Sequence, residues 1–424
     1  MHILLIHQYF LEDHAGGGSR WNEIARIWVS LGHSVTVIAG DAHYMKGKLN
    51  EKSRGRFVCG ENLDGVRVIR CRVSGNGQRS FVSRFWEYTS FAFAAVYAGF
   101  RFANGAYDFV TVTSPPLLVG IPGVILSKCK RIPLVLEIRD LWPESAIETD
   151  VLQNKWLIWL SYRLEKLLYR HAGLINVLTP AFQEKLIAVK QVDARKICMI
   201  PNAADFRWSE EALRHAPACA LRAELGLEGK FVVIYVGAHG LANDLMQLIE
   251  TATLLAHTRV HFLLMGDGMQ KQMLVEEVMA RALPNVSFLA PVSKERVFNY
   301  IVMADAGVAV LKNAAIFKTV YSNKTFDYFS CKKPVLVAID GISRELIEEA
   351  NAGMFAEPGN AADLAGKIAL YMQNPRLAQA HGENGYRFAR RHFDRTILAR
   401  NLLDILENYP EKKDRTCLCK EDKK

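Results

Sequence analysis

Cysteine is sparse in this chain, and none of it is spaced for metal or redox work. The eight cysteines stand at 59, 71, 129, 198, 219, 331, 417 and 419 with no CxxC pair. That excludes a zinc ribbon and a thioredoxin-type couple, and reads as reduced thiols in a cytoplasmic protein. The twelve histidines form no metal-ligand cluster either. Three further signatures are missing: a GxxxxGK[ST] loop, a GxGxxG turn after the first strand, and a GxSxG elbow. Their absence argues against P-loop, dinucleotide and acyl-nucleophile chemistry. No apolar run reaches the roughly 20 residues a spanning helix needs. The opening MHILLIHQYF moves straight into a strand with no basic n-region or cleavage site, which predicts no signal peptide.

What is present is an ordinary soluble-enzyme composition, 50% hydrophobic and 23% charged over 424 residues, long enough for two or three full cores. The net charge of +9 is uneven, and within 46–84 ten basic residues face three acidic ones. That segment is either a solvated basic face or a face for an anionic surface or acceptor. It runs into SFVSRFWEYTSFAFAAVYAGFRFANG, whose aromatics include Phe81, Phe85, Trp86 and Phe93. This stretch predicts a helix that lies in a membrane interface or packs on a sheet.

Strand patterns at 2–7, 66–73, 108–113, 133–138, 173–178 and 196–200 alternate with helical ones. After IPNAADFRW a second series begins, with strands at 231–236, 260–265, 286–290, 306–310, 334–338 and 353–356. Such alternation predicts an α/β chain of two Rossmann-like, doubly wound domains facing a central cleft, over 1–200 and 201–384. Helices at about 385–410 are expected to pack back on the first domain, followed by a polar tail at 411–424.

The densest signal is YSNKTFDYFSCKKPVLVAIDG, Tyr321 to Gly341. Ser322 and Asn323 suit a helix N-cap, leaving first-turn amides to face an anion. Lys324 in that turn is poorly placed for the helix dipole unless a diphosphate occupies the helix end. Asp327, one turn on, can accept hydrogen bonds from ribose hydroxyls. An ordinary capped helix before a core strand accounts for the same spacing. Glycine turns follow the first strand of each half: Gly16, Gly17 and Gly18 beside Arg20, and Gly237, His239 and Gly240 before a helix read as capped by Asn243. Together they point to a nucleotide diphosphate, and without redox or kinase signatures to a sugar nucleotide. In EIRDLWPES, Arg139 and Asp140 leave a strand toward the cleft edge. They form either a structural pair or a site with Asp140 or Glu144 near acceptor hydroxyls and Arg139 near an anion. Thr113 and Ser114 open the neighbouring TSPPLL loop.

With HQYF, GGGSR, SPPLL, EIRDLWPES, IPNAAD, YVGAHGLAND, MGDG and SNKTFDYFSCKKPVLVAIDG in hand, the chain resembles the family-4 glycosyltransferases of the GT-B fold. Within them it is similar to the WbuB-like group of O-antigen and exopolysaccharide synthesis. The resemblance implies sugar transfer with retention from a nucleotide diphosphate donor, a UDP-linked N-acetylated or deoxy hexose, to a polyprenyl-diphosphate-linked saccharide. It implies that Lys324 and the amides around Ser322 and Asn323 hold phosphate, that Asp327 holds ribose, and that Lys324, Arg139 and Asp140 serve catalysis. No cofactor, metal or nucleic-acid partner is expected, and the protein is expected on the inner face of the cytoplasmic membrane, bound peripherally to its anionic surface. The chain departs from the family pattern at Thr319, where the first of two acids stands, at AHGLAND, where an arginine and a lysine are common, and at Thr113-Ser114, where a histidine is frequent. A sugar-nucleotide 2-epimerase and a non-catalytic sugar-nucleotide-binding subunit remain alternative readings.

Overall fold

Short apolar runs bounded by polar turns become strands here, and the amphipathic stretches between them become helices. The computed structural model describes residues 1–10, 20–41, 58–73, 81–149 and 151–410. Gly16, Gly17, Gly18, much of the basic segment at 46–84 and the polar tail lie outside the described residues. The chain divides into two units, one reaching to Pro201 and resuming at Thr396, the other spanning Asn202–Arg395.

The first unit contains β1 (His2–Ile6), α1 (Arg20–Ser30), β2 (Ser34–Gly40), β3 (Val58–Leu63), β4 (Val66–Cys71), α2 (Phe81–Arg101) and β5 (Phe109–Ser114). It continues through α3 (Gly120–Lys130), β6 (Leu134–Ile138), α4 (Glu144–Glu148), α5 (Lys155–His171), β7 (Leu174–Val177), α6 (Pro180–Ala188) and β8 (Ile197–Met199). Its sheet runs β3-β4-β2-β1-β5-β6-β7-β8. Every neighbouring pair is parallel except β3 with β4. That antiparallel edge strand is an addition to the sequence expectation. Asp64 (φ 52°) and Gly65 (φ 84°) make the two-residue turn that joins it to β4, a pairing that suits the twist of a tight hairpin.

The second unit contains α7 (Phe206–His215), α8 (Ala218–Glu224), β9 (Phe231–Val236), α9 (Met246–Leu254), β10 (Val260–Met265), α10 (Lys271–Ala280), β11 (Val286–Leu289) and α11 (Lys294–Met303). After them come β12 (Ala306–Val310), α12 (Asn323–Ser330), β13 (Val335–Ala338), α13 (Ile342–Ala350), β14 (Gly353–Phe355), α14 (Ala361–Gln373) and α15 (Pro375–His392). The sheet order is β11-β10-β9-β12-β13-β14, all parallel. Val232 and Ile234 enter one core cluster while Val233 and Tyr235 enter the other. Both faces of the sheet are covered, which is why these strands read as unbroken apolar runs.

The return to the first unit begins at Thr396, later than the 385 read from sequence. α15 packs within the second unit, where a Cβ at Gly385 would stand 2.5 Å from the Phe329 ring. α16 (Arg395–Glu407) then rejoins α1, whose Trp28 Nε1 donates to Ala399 O at 2.8 Å.

In each sheet the strand order reverses once, between β1 and β5 and between β9 and β12, and open α/β sheets bind ligands beside such points. Helix α12 is seated beside the second of them. Tyr328 Oη accepts from Val236 N and reaches the carbonyls of Ile234 and Val308, each at 3.2 Å. Gly307 makes the room, since a Cβ there would lie 2.3 Å from the Tyr328 ring. Tyr328→Phe should cost about 1–3 kcal/mol, because it strips buried backbone groups of their partner. A denaturant midpoint lowered at unchanged slope is the expected reading; no shift would mean the hydroxyl does not hold α12.

Candidate active site

In the first unit, the carboxyl end of β6 is organised around a fully buried acid. Glu137 accepts from Arg20 Nε at 3.0 Å, Trp21 Nε1 at 2.8 Å and Asn176 Nδ2 at 3.1 Å. Arg20 also donates through Nη1 to Pro201 O at 2.5 Å and through Nη2 to Ile200 O at 2.8 Å. A buried guanidinium matched this way is structural, so the expected donor role of Arg20 is corrected. Its position after the glycine run gave the wrong cue; its partners are a strand acid and two carbonyls.

Beyond Glu137 the chain presents Arg139 and Asp140, beside the ends of β1 and β5. Arg139 N donates to Ser114 O at 2.8 Å, while its Nε is buried with no hydrogen-bond partner among the described residues. Burial pushes the Asp140 carboxyl above the usual range, more than Ser145, the Leu141 amide and Arg139 hold it down. His7, at the end of β1, is the group the sequence reading missed. It is buried, its Nδ1 lies 3.2 Å from Tyr9 N, and burial with the nearby Arg139 charge lowers it to about 3. It is therefore a neutral imidazole at physiological pH. The cue was a polar residue standing directly after an apolar strand. Thr113 and Ser114, the last residues of β5, are buried, and Thr113 Oγ1 has no partner among the described residues.

Glu144, whose charge also raises Asp140, is engaged by a cation of its own. Its Oε1 meets Lys190 Nζ at 2.5 Å, and Lys190 also pairs with Glu165 at 2.8 Å. Oε2 of Glu144 is buried. The expectation that it faces an acceptor is thus corrected to an ion-pair role that ties α4 to α5.

In the second unit, the turns after β9 and β10 interlock through their backbones. A Cβ at Gly266 would fall 1.8 Å from Gly237 O, and one at Gly268 would fall 2.4 Å from His239 O. His239 lies beneath this contact at 0% exposure, its amide donating to Asp267 O at 2.9 Å. Burial, helped by Lys271, lowers its pKa to about 4. A buried neutral ring supplies no charge to a diphosphate, so His239 does not replace the family's missing cations. Gly240 leads into a 3-10 turn at Leu241–Asn243, and α9 starts only at Met246, so Asn243 is not that helix's cap.

Lys324 is the cation that adjoins Gly237. Its stem packs on Gly237, where a Cβ would sit 2.9 Å from Lys324 Cε, and its Nζ lies 4.8 Å from the centre of the Tyr235 ring. No carboxylate forms an ion pair with it among the described residues, and burial lowers it to about 8 against a smaller opposing pull from Asp327. The Ser322 amide is taken by Ser343 Oγ at 3.2 Å, and the Ser322 side chain makes no cap. The amides of Asn323 and Lys324 have no acceptor among the described residues. Asp327 lies one turn further, its carboxyl raised by burial and Asp205 and lowered by Lys294, Arg395 and Lys324. An ammonium, two open amides and a carboxyl at one helix start suit a diphosphate joined to a polyol.

The Glycosyl transferase 4-like domain family matches residues 15–203, and the Glycosyl transferases group 1 family matches 220–388. The chain belongs to the family-4 glycosyltransferases of the GT-B fold. A protein of Escherichia coli (strain K12) named as a colanic acid biosynthesis glycosyl transferase, WcaI, is 24% identical to this enzyme over 325 residues, 74% of this chain and 78% of its own. Among solved structures, HepE of Anabaena in complex with UDP has a TM-score of 0.70 at 18% identity, covering 96% of this chain and 100% of its own. Sucrose-phosphate synthase from Thermosynechococcus elongatus has a TM-score of 0.73 at 17% identity, covering 96% and 98%. At these identities the structures share the fold.

Glu137→Gln tests the structural reading of this glycosyltransferase's Arg20. It removes the counter-charge while leaving the guanidinium buried, which should cost about 3–5 kcal/mol. Chemical denaturation measures this; a loss within experimental error would return Arg20 to the list of ligand-binding residues.

Proposed function

We propose that the enzyme transfers a sugar, with retention at the anomeric carbon, from a UDP-sugar to a polyprenyl-diphosphate-linked saccharide during assembly of a surface polysaccharide. The observation that carries this reading is the Lys324 ammonium, with no ion pair among the described residues, beside the amides of Asn323 and Lys324, which have no acceptor among them, with Asp327 one turn away. Such a charge is costly to bury unless an anion completes it. HepE, which shares the fold, binds UDP, and WcaI is named for colanic acid biosynthesis, which supports the donor and the product class.

In this reading Lys324 and the helix amides bind the diphosphate and stabilise the charge that grows on it as the glycosidic bond breaks. That role requires no metal. Asp327 accepts from the ribose hydroxyls. On the acceptor side, Asp140, with its raised pKa, faces the attacking hydroxyl, the uncharged His7 offers a hydrogen bond, and Arg139 pairs with an anionic group of the acceptor. A carboxyl that burial holds above its usual range is a better proton acceptor than a free one.

Lys324→Ala should weaken UDP binding about tenfold or more, since a charge-assisted contact is worth about 1.5–3 kcal/mol. Calorimetry decides; equal affinities would remove Lys324 from the phosphate site. Asp327→Asn should weaken UDP more than inorganic diphosphate, and equal losses would remove it from the ribose. The pH dependence has a definite sign. The ammonium form binds, and the free group titrates at about 8. UDP affinity should therefore hold below that pH and fall by up to about tenfold per unit above it. A flat profile to pH 9.5 would contradict the assignment. Asp140→Asn should lower kcat at least about tenfold with UDP affinity unchanged, and a matching loss of UDP binding would move Asp140 off the acceptor side.

A further inference from the structure

Helix α5 leaves most of its surface to solvent: over seventeen residues only Glu165 and Leu168 are buried. The exposed stripe is aromatic and aliphatic. Trp156 is 77% exposed, and Trp159, Leu160 and Leu167 are exposed with it. These positions recur at helical spacing along one face. Helix α2 carries a matching stripe, with Phe93 75% exposed alongside Trp86, Tyr97 and Phe100. Isolated exposed apolar residues need no explanation, but two ordered stripes of large aromatics do.

The two helices share one layer. α3 packs against both α2 and α5, and glycines bring the three close. A Cβ at Gly99 of α2 would meet Leu126 of α3 at 2.3 Å, and one at Gly120 of α3 would meet Leu168 of α5 at 2.4 Å.

The charges on this layer are sorted by sign. α5 carries Lys155, Arg163, Lys166 and Arg170, all exposed, whereas its one acid, Glu165, is buried against Lys190 and Tyr169. On α2 the one acid, Glu87, is approached by Gln8 and Tyr9 at 3.4 and 3.3 Å. Arg163 lies over the Trp159 ring at 5.0 Å, which keeps a cation at the level of the aromatic stripe. Tryptophan and tyrosine with long basic side chains beside them suit the boundary between lipid headgroups and acyl chains, where the rings sit and the cations reach phosphate. Protein interface cores are instead poor in lysine. No helix among the described residues is long and apolar enough to cross a membrane.

We infer that α2 and α5 form one docking surface for an anionic phospholipid bilayer, with Trp156, Trp159 and Phe93 inserted and Arg163, Lys166 and Arg170 on the headgroups. This names the surface partner of the reading above and takes its lipid-linked acceptor as the reason for docking, but the contact itself requires neither donor nor acceptor. The test is therefore run without either. The full chain is floated with vesicles of phosphatidylglycerol and phosphatidylcholine, and with vesicles of phosphatidylcholine alone. The protein should bind the anionic vesicles, bind the neutral ones at least about tenfold less, and be released in part as salt rises, since screening acts within about 8–10 Å. Trp156→Ser with Trp159→Ser, and separately Phe93→Ser with Tyr97→Ser, should each reduce binding to the anionic vesicles about tenfold or more. These side chains are exposed, so thermal melting should be unchanged and UDP affinity should stay at the parent value. Indifference of the parent protein to anionic vesicles overturns the inference, as does parent-like binding by both double variants. A parent dimer that the variants convert to monomer overturns it too, by assigning the face to a second copy. If vesicles bind as described but UDP does not, the donor reading fails and the docking surface stands.

Discussion

A charge removed from water must find a partner or wait for one, and that constraint separates scaffold from site throughout this enzyme. Glu137 and Arg20 show the satisfied case. The carboxylate collects three donors, and the guanidinium also binds the carbonyls of Ile200 and Pro201. The end of β8, the start of α1 and the carboxyl end of β6 are thereby fixed to one point. Lys324 shows the open case. It is desolvated, it rests on an aromatic face, and no ion pair completes it among the described residues. A buried charge of the first kind rigidifies, and one of the second kind marks a candidate ligand site.

The open cation is useful only if its helix is held still, and the second unit achieves that with small residues and one hydroxyl. Tyr328 fixes α12 to the backbones of β9 and β12 through the gap left by Gly307, and Gly237 leaves the space that the Lys324 stem fills. The contact of Gly266 and Gly268 with the turn after β9 then keeps that turn in place. Gly237 and Gly266 have φ of 147° and 151°, a region costly for any residue with a Cβ. The lysine's position therefore depends on four positions where a larger side chain has no room.

The strands were legible because parallel strands covered on both faces read as plain apolar runs, and PVLVA and FVVIYV are such runs. β3 was not, because VCGENL alternates weakly and carries a glycine. The Asp64-Gly65 turn was the better signal for it. Lys324 and Asp327 could be placed at one helix start from spacing alone. Arg20, His239 and Glu144 misled for a common reason: each sits next to a convincing motif, but its role depends on burial and on a partner far away in sequence. Arg20 is 117 residues from Glu137, and Glu144 pairs with Lys190 across two helices. Pattern in a single chain says which residues share a turn or a face; it does not say which distant charge arrives opposite.

The same limit explains α5. Read along the sequence, KWLIWLSYRLEKLLYRH is an ordinary amphipathic helix, and its tryptophans would be assigned to the core. The structure reverses the assignment: Glu165 points inward to Lys190 and Tyr169, and the tryptophans point outward. An acid can occupy the buried face only because Lys190 arrives from beyond α6 to neutralise it. That pairing, with Leu168 packed at Gly120, fixes the helix's rotation and so presents Trp156 and Trp159 to solvent. An ion pair between residues 25 apart and one packed leucine thus set which face of the helix is available to meet a surface.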